Sequence, residues 1–411
     1  MTQVTAPIDH AAHPRTALVM LLDDPTSDPR PKRMIQLLRE MGFAIDVVSR
    51  PAKRKVEVAT HFVVNQTRFS RVWRMAFARI CAPFLLRDEQ RDWLLGWQWS
   101  TSEAFAAVAA RNVSYDLVVV EDPRLLPIGH KARSGGGALL FDAREYYPRQ
   151  YEDDLFWRIL ERPERLRLCQ SYLSLCDQVI TVAPGIAKEY KREFNVDAAV
   201  IRSVPEFIPT APRATSEETI RVVHHGIANP NRRLEKMFDV ARMLDRRFQL
   251  DFFLTGSPGY LAKLRKIASG FPNVNVKDPV PFDAIHSTLA TYDIGLYYLE
   301  PRGFNVTYNL PNKLFEFIQA RLAVAIGPSP EMAAIVRKYE CGVVAGEFST
   351  TAMAASLNRL DAAAIDRLKA GADTAARELN FGNESLRLRQ LIEGLLELNI
   401  ARRLKLAARA D

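Results

Sequence analysis

Residues 308–328, YNLPNKLFEFIQARLAVAIGP, decide how the rest of the chain can fold. The stretch opens on a turn at Asn309 and Pro311, where the fixed φ of the proline suits the first turn of a helix. Apolar residues then recur at helical spacing, at Leu314, Phe315, Phe317, Ile318 and Leu322. This spacing predicts a helix with one face in a core, and the apolar run at 322–327 predicts a buried strand. A helix that leads directly into a buried strand indicates an α/β sheet.

Lys313 and Glu316 stand three residues apart near the start of this helix, where the helix dipole is positive. Both side chains can therefore face the same side. A cation for phosphate oxygens beside a carboxylate for sugar hydroxyls is the combination that a nucleotide-sugar site needs. The alternative is an ordinary ion pair on the surface of a helix, which is common. The surrounding sequence favours the binding site.

The composition is that of an ordinary folded protein with room for two domains. The chain has 411 residues, 48% of them hydrophobic and 25% charged. No signal peptide is evident, and the four cysteines form neither a CxxC pair nor a disulfide framework, so we expect a cytoplasmic protein. The net charge of +8 predicts anionic ligands or surfaces. No zinc-finger or RNA-binding pattern is present, so we expect no nucleic-acid partner.

Predicted strands alternate with helices along both halves of the chain. In the first half they fall at 17–22, 44–49, 115–121, 138–141, 178–182 and 199–202, and in the second at 220–224, 251–255, 274–277, 293–298, 322–327 and 341–344. This alternation predicts parallel sheets. The proline-rich segment 203–217 between the halves is typical of a linker. The first loop, at 23–31, lacks the G-x-G-x-x-G of a dinucleotide site, which disfavours an NAD enzyme.

The loop DAREYYP, residues 142–148, follows the strand predicted at 138–141. Ligands of open α/β sheets bind beyond the carboxyl ends of the strands, and Asp142 and Glu145 lie at such an end. Either is a candidate catalytic residue that could deprotonate or orient an acceptor hydroxyl. Alternatively, Asp142 caps a following helix and Glu145 is its partner in a capping box. The position at a strand end favours the catalytic interpretation.

A candidate phosphate site follows the strand predicted at 220–224, in the turn HGIANPNRR at 225–233. Gly226 lets backbone amides approach a phosphate, and the N-terminus of the next predicted helix favours negative charge. Arg232 and Arg233 add a clamp for a diphosphate. The two histidines that precede Gly226 are better explained by packing than by metal ligation, because no further ligand spacing accompanies them. The loop at Val280 could hold a nucleotide base through backbone contacts.

Residues 66–99 depart from the alternation of strands and helices. An apolar face (Phe69, Val72, Trp73, Ala76, Phe77, Ile80) and a basic face (Arg68, Arg71, Arg74, Arg79) precede Trp93, Trp97 and Trp99. A basic amphipathic helix with tryptophans is typical of a membrane interface. The alternative is an excursion that packs on the first domain with its arginines in solvent. The pattern therefore predicts a peripheral contact with an anionic membrane through residues 66–99.

Several stretches of the second half, taken in order over about 125 positions, resemble the donor domain of GT-B glycosyltransferases, closest to the family-4 group. They are VVHHGIANPNRRLEKMFDVARML, FLTGSPG, VKDPVPFDAIHSTLATYDIGLYYLEP, NLPNKLFEFIQARLAVAIGP and ECGVV. In the first half, FDAREYYP and DQVITVAPGIAKEY carry a looser resemblance. The resemblance implies an α/β GT-B fold, with two doubly wound Rossmann-like domains facing across a cleft. An acceptor-binding domain would span 1–208 and a nucleotide-sugar donor-binding domain 209–380, with C-terminal helices at 381–411 crossing back to the first.

The resemblance also implies roles for single residues of the donor site. Gly226 would contact the diphosphate, Arg232 or Arg233 would clamp it and Lys313 would neutralise it. Glu316 would bind ribose hydroxyls and the Val280 loop the base, while Tyr308 and Asn309 would complete the donor site. Many family-4 enzymes have a second glutamate eight positions before the ribose-binding one, where this sequence has Tyr308.

The activity that the resemblance implies is that of a hexosyltransferase (EC 2.4). It would move a sugar from a UDP- or GDP-type donor to a saccharide or lipid-linked acceptor in bacterial cell-surface polysaccharide synthesis. The reaction would be retaining and would use no metal or other cofactor, at the inner face of the cytoplasmic membrane. Two alternatives remain open. One is a non-catalytic GT-B module that binds nucleotide sugar or glycan, which Tyr308 favours. The other is a sugar-nucleotide epimerase of similar fold, which would need more acidic and histidine residues in the cleft.

Overall fold

A seven-stranded sheet organises the first half of the chain in the computed structural model, which describes residues 15–64, 73, 77, 81, 88–98, 101–111, 113–133 and 136–407. Its strands are β1 (Thr16–Met20), β2 (Ala44–Ser49), β3 (Thr60–Val63), β4 (Leu117–Val120), β5 (Ala138–Ala143), β6 (Gln178–Thr181) and β7 (Ala198–Val200). They run parallel in the order β3-β2-β1-β4-β5-β6-β7. Every residue of β4 and β5 is buried, as expected for the central strands of a parallel sheet.

A six-stranded parallel sheet organises the second half. Its strands are β8 (Ile220–Ala228), β9 (Phe248–Gly256), β10 (Val274–Lys277), β11 (Ile294–Tyr297), β12 (Ala323–Ile326) and β13 (Gly342–Val344). They lie in the order β10-β9-β8-β11-β12-β13, so the direction of winding reverses between β8 and β11. Ligands of doubly wound sheets bind outside the carboxyl ends of the strands at such a reversal.

Helices connect the strands of both sheets. In the first half they are α1 (Pro29–Glu40), α2 (Asp88–Gln98), α3 (Thr101–Ala110), α4 (Leu126–Ala132), α5 (Leu155–Leu160), α6 (Arg162–Tyr172) and α7 (Pro184–Phe194). In the second they are α8 (Glu235–Arg242), α9 (Pro258–Ala268), α10 (Ile285–Leu289), α11 (Phe304–Thr307), α12 (Asn312–Gln319), α13 (Pro330–Tyr339), α14 (Thr350–Asn358), α15 (Ala362–Glu378) and α16 (Phe381–Ala407). Short 3-10 turns at Pro123–Leu125, Tyr147–Arg149, Leu173–Leu175, Pro230–Arg232 and Phe282–Ala284 complete the connections.

The chain divides into two compact units. The first comprises Met1–Thr181, Ile186–Ile201 and Arg387–Asp411, and the second comprises Val182–Gly185 and Arg202–Leu386. The core of the first unit includes residues from both ends of the chain. Leu388, Ile392, Leu395 and Leu396 of α16 join the apolar residues of β1, β2, β4 and α1 in one buried cluster.

The helical segment between Leu155 and Tyr172 is divided in two. The structure has α5 and α6 there, because the chain leaves the helix at Glu161 and starts again with Pro163 in the first turn of α6. A proline has no N–H for the helix and restricts the residue before it, so it favours a new helix start. Cys169 is buried on α6, whereas Cys176 follows the helical segment.

The amphipathic segment predicted at 66–99 lies largely outside the described residues. Three of its described side chains, Trp73, Phe77 and Trp93, are exposed by 65%, 54% and 67%. Among the described residues, no helix is both long enough and apolar enough to cross a bilayer.

Candidate functional site

Gly226 lies inside strand β8, not in a turn as predicted. The strand runs on to Ala228 because β9 pairs with it residue by residue, up to Ala228 opposite Gly256. Gly226 keeps a positive φ of 123° within this ladder, a backbone conformation that residues with a side chain rarely adopt. The turn itself begins at Asn229, whose side chain accepts a hydrogen bond from the N–H of Asn231.

Lys313 occupies the space that a side chain at position 226 would need. A Cβ atom on Gly226 would lie 2.6 Å from Lys313 Nζ, so the ammonium group rests against the backbone of β8. Burial lowers the pKa of Lys313 to about 8, and Arg232 contributes in the same direction while Glu316 opposes it. No carboxylate of the described residues lies within ion-pair distance of Lys313 Nζ. A desolvated cation without a counter-ion favours an anionic ligand.

The structure distinguishes the two arginines of the predicted clamp. Arg232 ends a 3-10 turn, is exposed, and lies near enough to Lys313 to act on its pKa. Arg233 has a left-handed φ of 47° and acts on Glu300, which is paired with Lys236 at 2.5 Å. Arg232 is therefore the arginine whose charge acts on Lys313, whereas the charge of Arg233 acts on Glu300.

Glu316 lies one turn after Lys313 on α12 and faces His225 of β8. Glu316 Oε2 is 3.1 Å from His225 Nε2, but the two atoms are not aligned for a hydrogen bond. The Glu316 side chain keeps 18% of its surface exposed. The ring of His225 packs edge-on against Phe317, with centroids 5.6 Å apart. A carboxylate thus stands beside the cation, with acceptor capacity left for a ligand.

His224 is a neutral packing residue. Burial lowers its pKa to about 3, and its Nδ1 lies 2.9 Å from the carbonyl oxygen of Leu296, to which it donates. Its ring packs against Phe252 and Tyr297. This agrees with the sequence interpretation of the histidine pair as packing, although His225 also contacts Glu316.

Asn309 and Tyr308 lie between β11 and α12. Asn309 lies close enough to Tyr297 to act on the pKa of that phenol, and its own buried Oδ1 has no hydrogen-bond partner among the described residues. Tyr308 stacks on Phe304 with ring centroids 4.7 Å apart, and its ring also lies against Gly185 of the second unit. The N–H of Gly185 donates to Glu331 at 2.7 Å. An aromatic ring therefore occupies position 308, where the sequence resemblance would place a glutamate.

Val280 is half-buried in the segment that follows β10. Because β10, β9, β8 and β11 run parallel, this loop leaves β10 on the same side of the sheet as the carboxyl ends of β8 and β11. The roles of Val280 and of the other donor-site residues in binding stay predictions.

Asp142 is held by Arg30 in the first unit. Arg30 Nε lies 3.0 Å and 2.8 Å from the two carboxylate oxygens, Nη2 donates at 2.7 Å, and Nη1 donates to the carbonyl of Ile201 at 2.8 Å. Asp142 is fully buried at the end of β5. The capping-box alternative is wrong, because no helix begins within 143–146 and Asp142 belongs to a strand. Its contacts suit a structural ion pair better than a base.

Glu145 is the more available of the two predicted catalytic carboxylates. It is half-buried, and burial raises its pKa to about 7. Gln150 Nε2 donates to its Oε1 at 2.5 Å, and the hydroxyl of Tyr190 donates to its backbone carbonyl at 2.9 Å. A carboxyl group that titrates near neutral pH suits proton transfer.

Glu121 is a buried carboxyl group that the sequence analysis did not single out. It follows β4 directly, is fully buried, and neither of its carboxylate oxygens has a hydrogen-bond partner among the described residues. Arg144 Nε lies 3.8 Å from its Oε2. Burial raises the pKa of Glu121 to about 8. The rule that drew attention to Asp142, a carboxylate at a strand end, applies equally to Glu121 after the strand YDLVVV.

Within the part of the chain that the structure describes, no group of three or more His, Cys, Asp or Glu side chains is placed to hold a metal ion. Lys313 and Arg232 are two cationic groups near the carboxyl end of β8 that lie close enough to act on each other. These two side chains, together with the carboxylate of Glu316, define the candidate site of the second unit.

The fold is that of the GT-B glycosyltransferases. A sucrose-phosphate synthase from Thermosynechococcus elongatus matches with a TM-score of 0.71 and 14% identity, over 93% of this chain and 100% of that one. WaaG, a glycosyltransferase involved in lipopolysaccharide biosynthesis, matches at 0.59 and 12%, over 93% and 99%. Anabaena HepE in complex with UDP and glucose matches at 0.63 and 12%, over 92% and 100%. No protein-family model and no curated protein sequence matches the chain.

Proposed function

We propose that the chain is a glycosyltransferase that moves a sugar from a nucleoside-diphosphate sugar to a saccharide or lipid-linked acceptor. The fold supports this proposal, since its structural neighbours are glycosyltransferases and one of them was solved with UDP and glucose. Another of them acts in lipopolysaccharide biosynthesis, which supports a role in bacterial cell-surface polysaccharide synthesis.

One observation carries the proposal: Lys313 rests on Gly226 at the carboxyl end of β8, with no carboxylate partner among the described residues. The missing side chain at Gly226 leaves room for the ammonium group beside the strand backbone. Arg232 adds a second positive charge. This arrangement suits the diphosphate of a donor, and Glu316 one turn further along α12 suits ribose hydroxyls.

In this mechanism the acceptor oxygen approaches the same face of the sugar that the diphosphate leaves, and it bonds to the anomeric carbon while the bond from that carbon to the diphosphate oxygen breaks. The hydroxyl proton leaves to a base, for which we propose Glu145, or to the departing diphosphate. Lys313 and Arg232 stabilise the negative charge that develops on the leaving group, and they do so most strongly in a site from which water is excluded. We propose that this charge makes a divalent ion unnecessary and that the anomeric configuration is retained.

The proposal is tested by thermal stabilisation of the purified protein across a panel of nucleoside diphosphates and nucleotide sugars. A ligand that binds the native state at 100 times its Kd stabilises it by about 2.7 kcal/mol. We expect a selective shift with a UDP- or GDP-type ligand, with or without a chelator, which Lys313→Ala abolishes. The matched control is Lys338→Ala, which removes an exposed lysine of the same unit on α13. If no member of the panel shifts the parent protein, the donor-site proposal is wrong.

A non-catalytic GT-B module is the second candidate function, and Tyr308 is the observation that favours it. The tyrosine ring stacks on Phe304 at a position where many related enzymes have an acid. The two candidates differ in turnover. A catalytic protein transfers or hydrolyses the sugar of the donor that stabilises it, and Glu145→Gln and Lys313→Ala slow that reaction. A binding module shows the thermal shift with no release of nucleoside diphosphate above background.

A peripheral membrane contact belongs to the same proposal, since a lipid-linked acceptor would lie at the inner face of a bacterial cytoplasmic membrane. The exposed rings of Trp73, Phe77 and Trp93 and the chain's net charge of +8 support it. We expect the protein to sediment with vesicles of anionic phospholipid at low salt. Failure to sediment would refute the membrane contact and leave the donor-site proposal intact.

A further inference from the structure

Five large apolar side chains are exposed within ten residues of the first unit. The exposed fractions are 55% for Tyr151, 56% for Leu155, 75% for Phe156, 63% for Ile159 and 44% for Leu160. The last four belong to helix α5 and are called here the α5 face. Soluble proteins rarely leave so many neighbouring apolar side chains in water unless they bind something.

The local structure fixes the direction of the α5 face. Asp154 caps the helix by accepting a hydrogen bond from the N–H of Trp157 at 3.1 Å, and the Trp157 side chain is buried. The members of the face follow the spacing i, i+1, i+4 and i+5, which places them on one side of a helix. Because the Trp157 side chain is buried in the first unit, the side of α5 that carries the α5 face is exposed to solvent.

Opposite charges flank the two ends of the α5 face. Asp153 and Asp154 precede the helix, whereas Arg158 and Arg162 stand at its end, and all four are exposed. None of them has an ion-pair partner among the described residues. The neighbouring acids are already engaged, since Glu161 lies 3.5 Å from Arg165 and Glu164 pairs with Arg167 at 2.7 Å. The face is therefore an apolar centre with one acidic end and one basic end.

We infer that the α5 face binds a second copy of this chain, with the two α5 helices antiparallel across a two-fold axis. Such an axis near Phe156 brings Asp153 of each copy towards Arg158 of the other, because the same patch on both copies must be self-complementary. The apolar side chains then form the centre of the interface and the charges its rim. An anionic membrane suits this surface less well, since the charges of Asp153, Asp154, Arg158 and Arg162 sum to zero and give no net attraction to it.

Sedimentation equilibrium of the full chain tests the inference. We expect a concentration-dependent dimer for the parent protein and a monomer for the double variant Phe156→Glu, Ile159→Glu. Leu398→Glu is the matched control, since it places the same charge on an apolar residue of the same unit that is 59% exposed. Unchanged melting temperatures show that the variants are folded. A parent protein that stays monomeric at high concentration overturns the inference, and so does a dimer that survives the double variant.

Charge reversal tests the antiparallel arrangement itself. In a dimer of the Asp153→Arg variant, the arginine introduced in each copy would face Arg158 of the other, so two pairs of like charges form. Arg158→Asp alone would likewise place two pairs of aspartates together. Each single variant is therefore expected to raise the dimer Kd at least about tenfold. The chain carrying both substitutions restores opposite charges and is expected to dimerise like the parent. A mixture of the two single variants is expected to form heterodimers. If the combined variant is as weak as the single ones, or if the α5 face proves to be the surface that binds vesicles, the inference fails.

Discussion

Lys313 Nζ lies so close to the backbone of Gly226 that a Cβ atom on residue 226 would stand 2.6 Å from it. The lysine comes from the start of α12, while the glycine lies in β8, 87 residues earlier in the chain (313 − 226). The position of the Lys313 ammonium group therefore depends on the absence of a side chain at Gly226. Substitutions at either residue test this contact.

Gly226→Ala is expected to displace the Lys313 ammonium group and to lower the affinity for nucleoside diphosphate at least about tenfold, which corresponds to about 1.4 kcal/mol. The positive φ of 123° adds backbone strain to the variant. Isothermal titration measures the affinity. Gly259→Ala on α9 is the control, because a Cβ there meets no atom within 4 Å. Equal affinity of the parent and Gly226→Ala would contradict a role for this contact.

The pKa of about 8 for Lys313 predicts the pH dependence of ligand binding. In the free protein the ammonium group loses its proton above pH 8, so affinity for the diphosphate is expected to fall by up to about tenfold per pH unit from there. Lys313→Met is expected to bind weakly at every pH, without this decline. An affinity that stays constant between pH 7 and pH 10 would show that the lysine charge is not used.

The same pKa also affects stability. Its folded-state value lies below the usual 10.5, so between about pH 8 and 10.5 the unfolded chain binds more protons than the native one. The contribution of Lys313 to the free energy of unfolding therefore rises with pH in that window, the opposite of its effect on binding. Chemical denaturation at several pH values measures it, and in Lys313→Met the dependence is expected to be weaker.

Glu316→Gln is expected to separate ribose binding from diphosphate binding. A hydrogen bond to a charged group contributes about 1.5–3 kcal/mol, so the variant should bind nucleoside diphosphates roughly ten to a hundred times more weakly. Inorganic pyrophosphate carries no ribose, and its affinity should change little. Lys313→Ala should weaken both ligands. A loss of pyrophosphate binding in Glu316→Gln would mean that the carboxylate acts by holding the site together.

Glu145→Gln is expected to lower the turnover of the glycosyl transfer by about 10²–10⁴-fold, the usual contribution of a general base. Since burial raises the pKa of Glu145 to about 7, kcat/KM of the parent should rise with pH through neutrality as the carboxyl group ionises. This rise should be absent in the variant. Glu218→Gln, at an exposed residue of the second unit, is the control. A parent rate that does not vary between pH 5 and pH 8 would argue against the base.

Arg30→Met is expected to destabilise the protein by about 3–5 kcal/mol, because it leaves the buried carboxylate of Asp142 unpaired. The double variant Arg30→Met, Asp142→Leu should recover much of this loss, since neither charge then remains buried. Arg39→Met is the control, as it removes an arginine from an exposed pair with Glu57. Urea denaturation measures the differences. An Arg30→Met variant as stable as the parent would show that the pair is not a structural one.

The strands could be predicted from the sequence because apolar runs bounded by turn residues are a local signal. Residues 44–49 and 274–277 coincide with β2 and β10. The extent of β8 could not be predicted, because its last four residues are strand only through their pairing with β9, a contact between distant parts of the chain. The same holds for Asp142, whose partner Arg30 lies 112 residues away. Lys313 and Glu316 could be found because their spacing on one helix is itself a local pattern.

The core of the first unit needs residues that are translated after the whole of the second unit. Leu388, Ile392, Leu395 and Leu396 fill a cluster with β1 and β2, which are translated before the second unit. Domains generally fold in the order in which they are made. In this chain the earliest strands must instead wait, with part of their apolar surface uncovered, until all of the second unit has been translated. Translation that stopped before Leu388 would therefore leave part of the core around β1 and β2 uncovered.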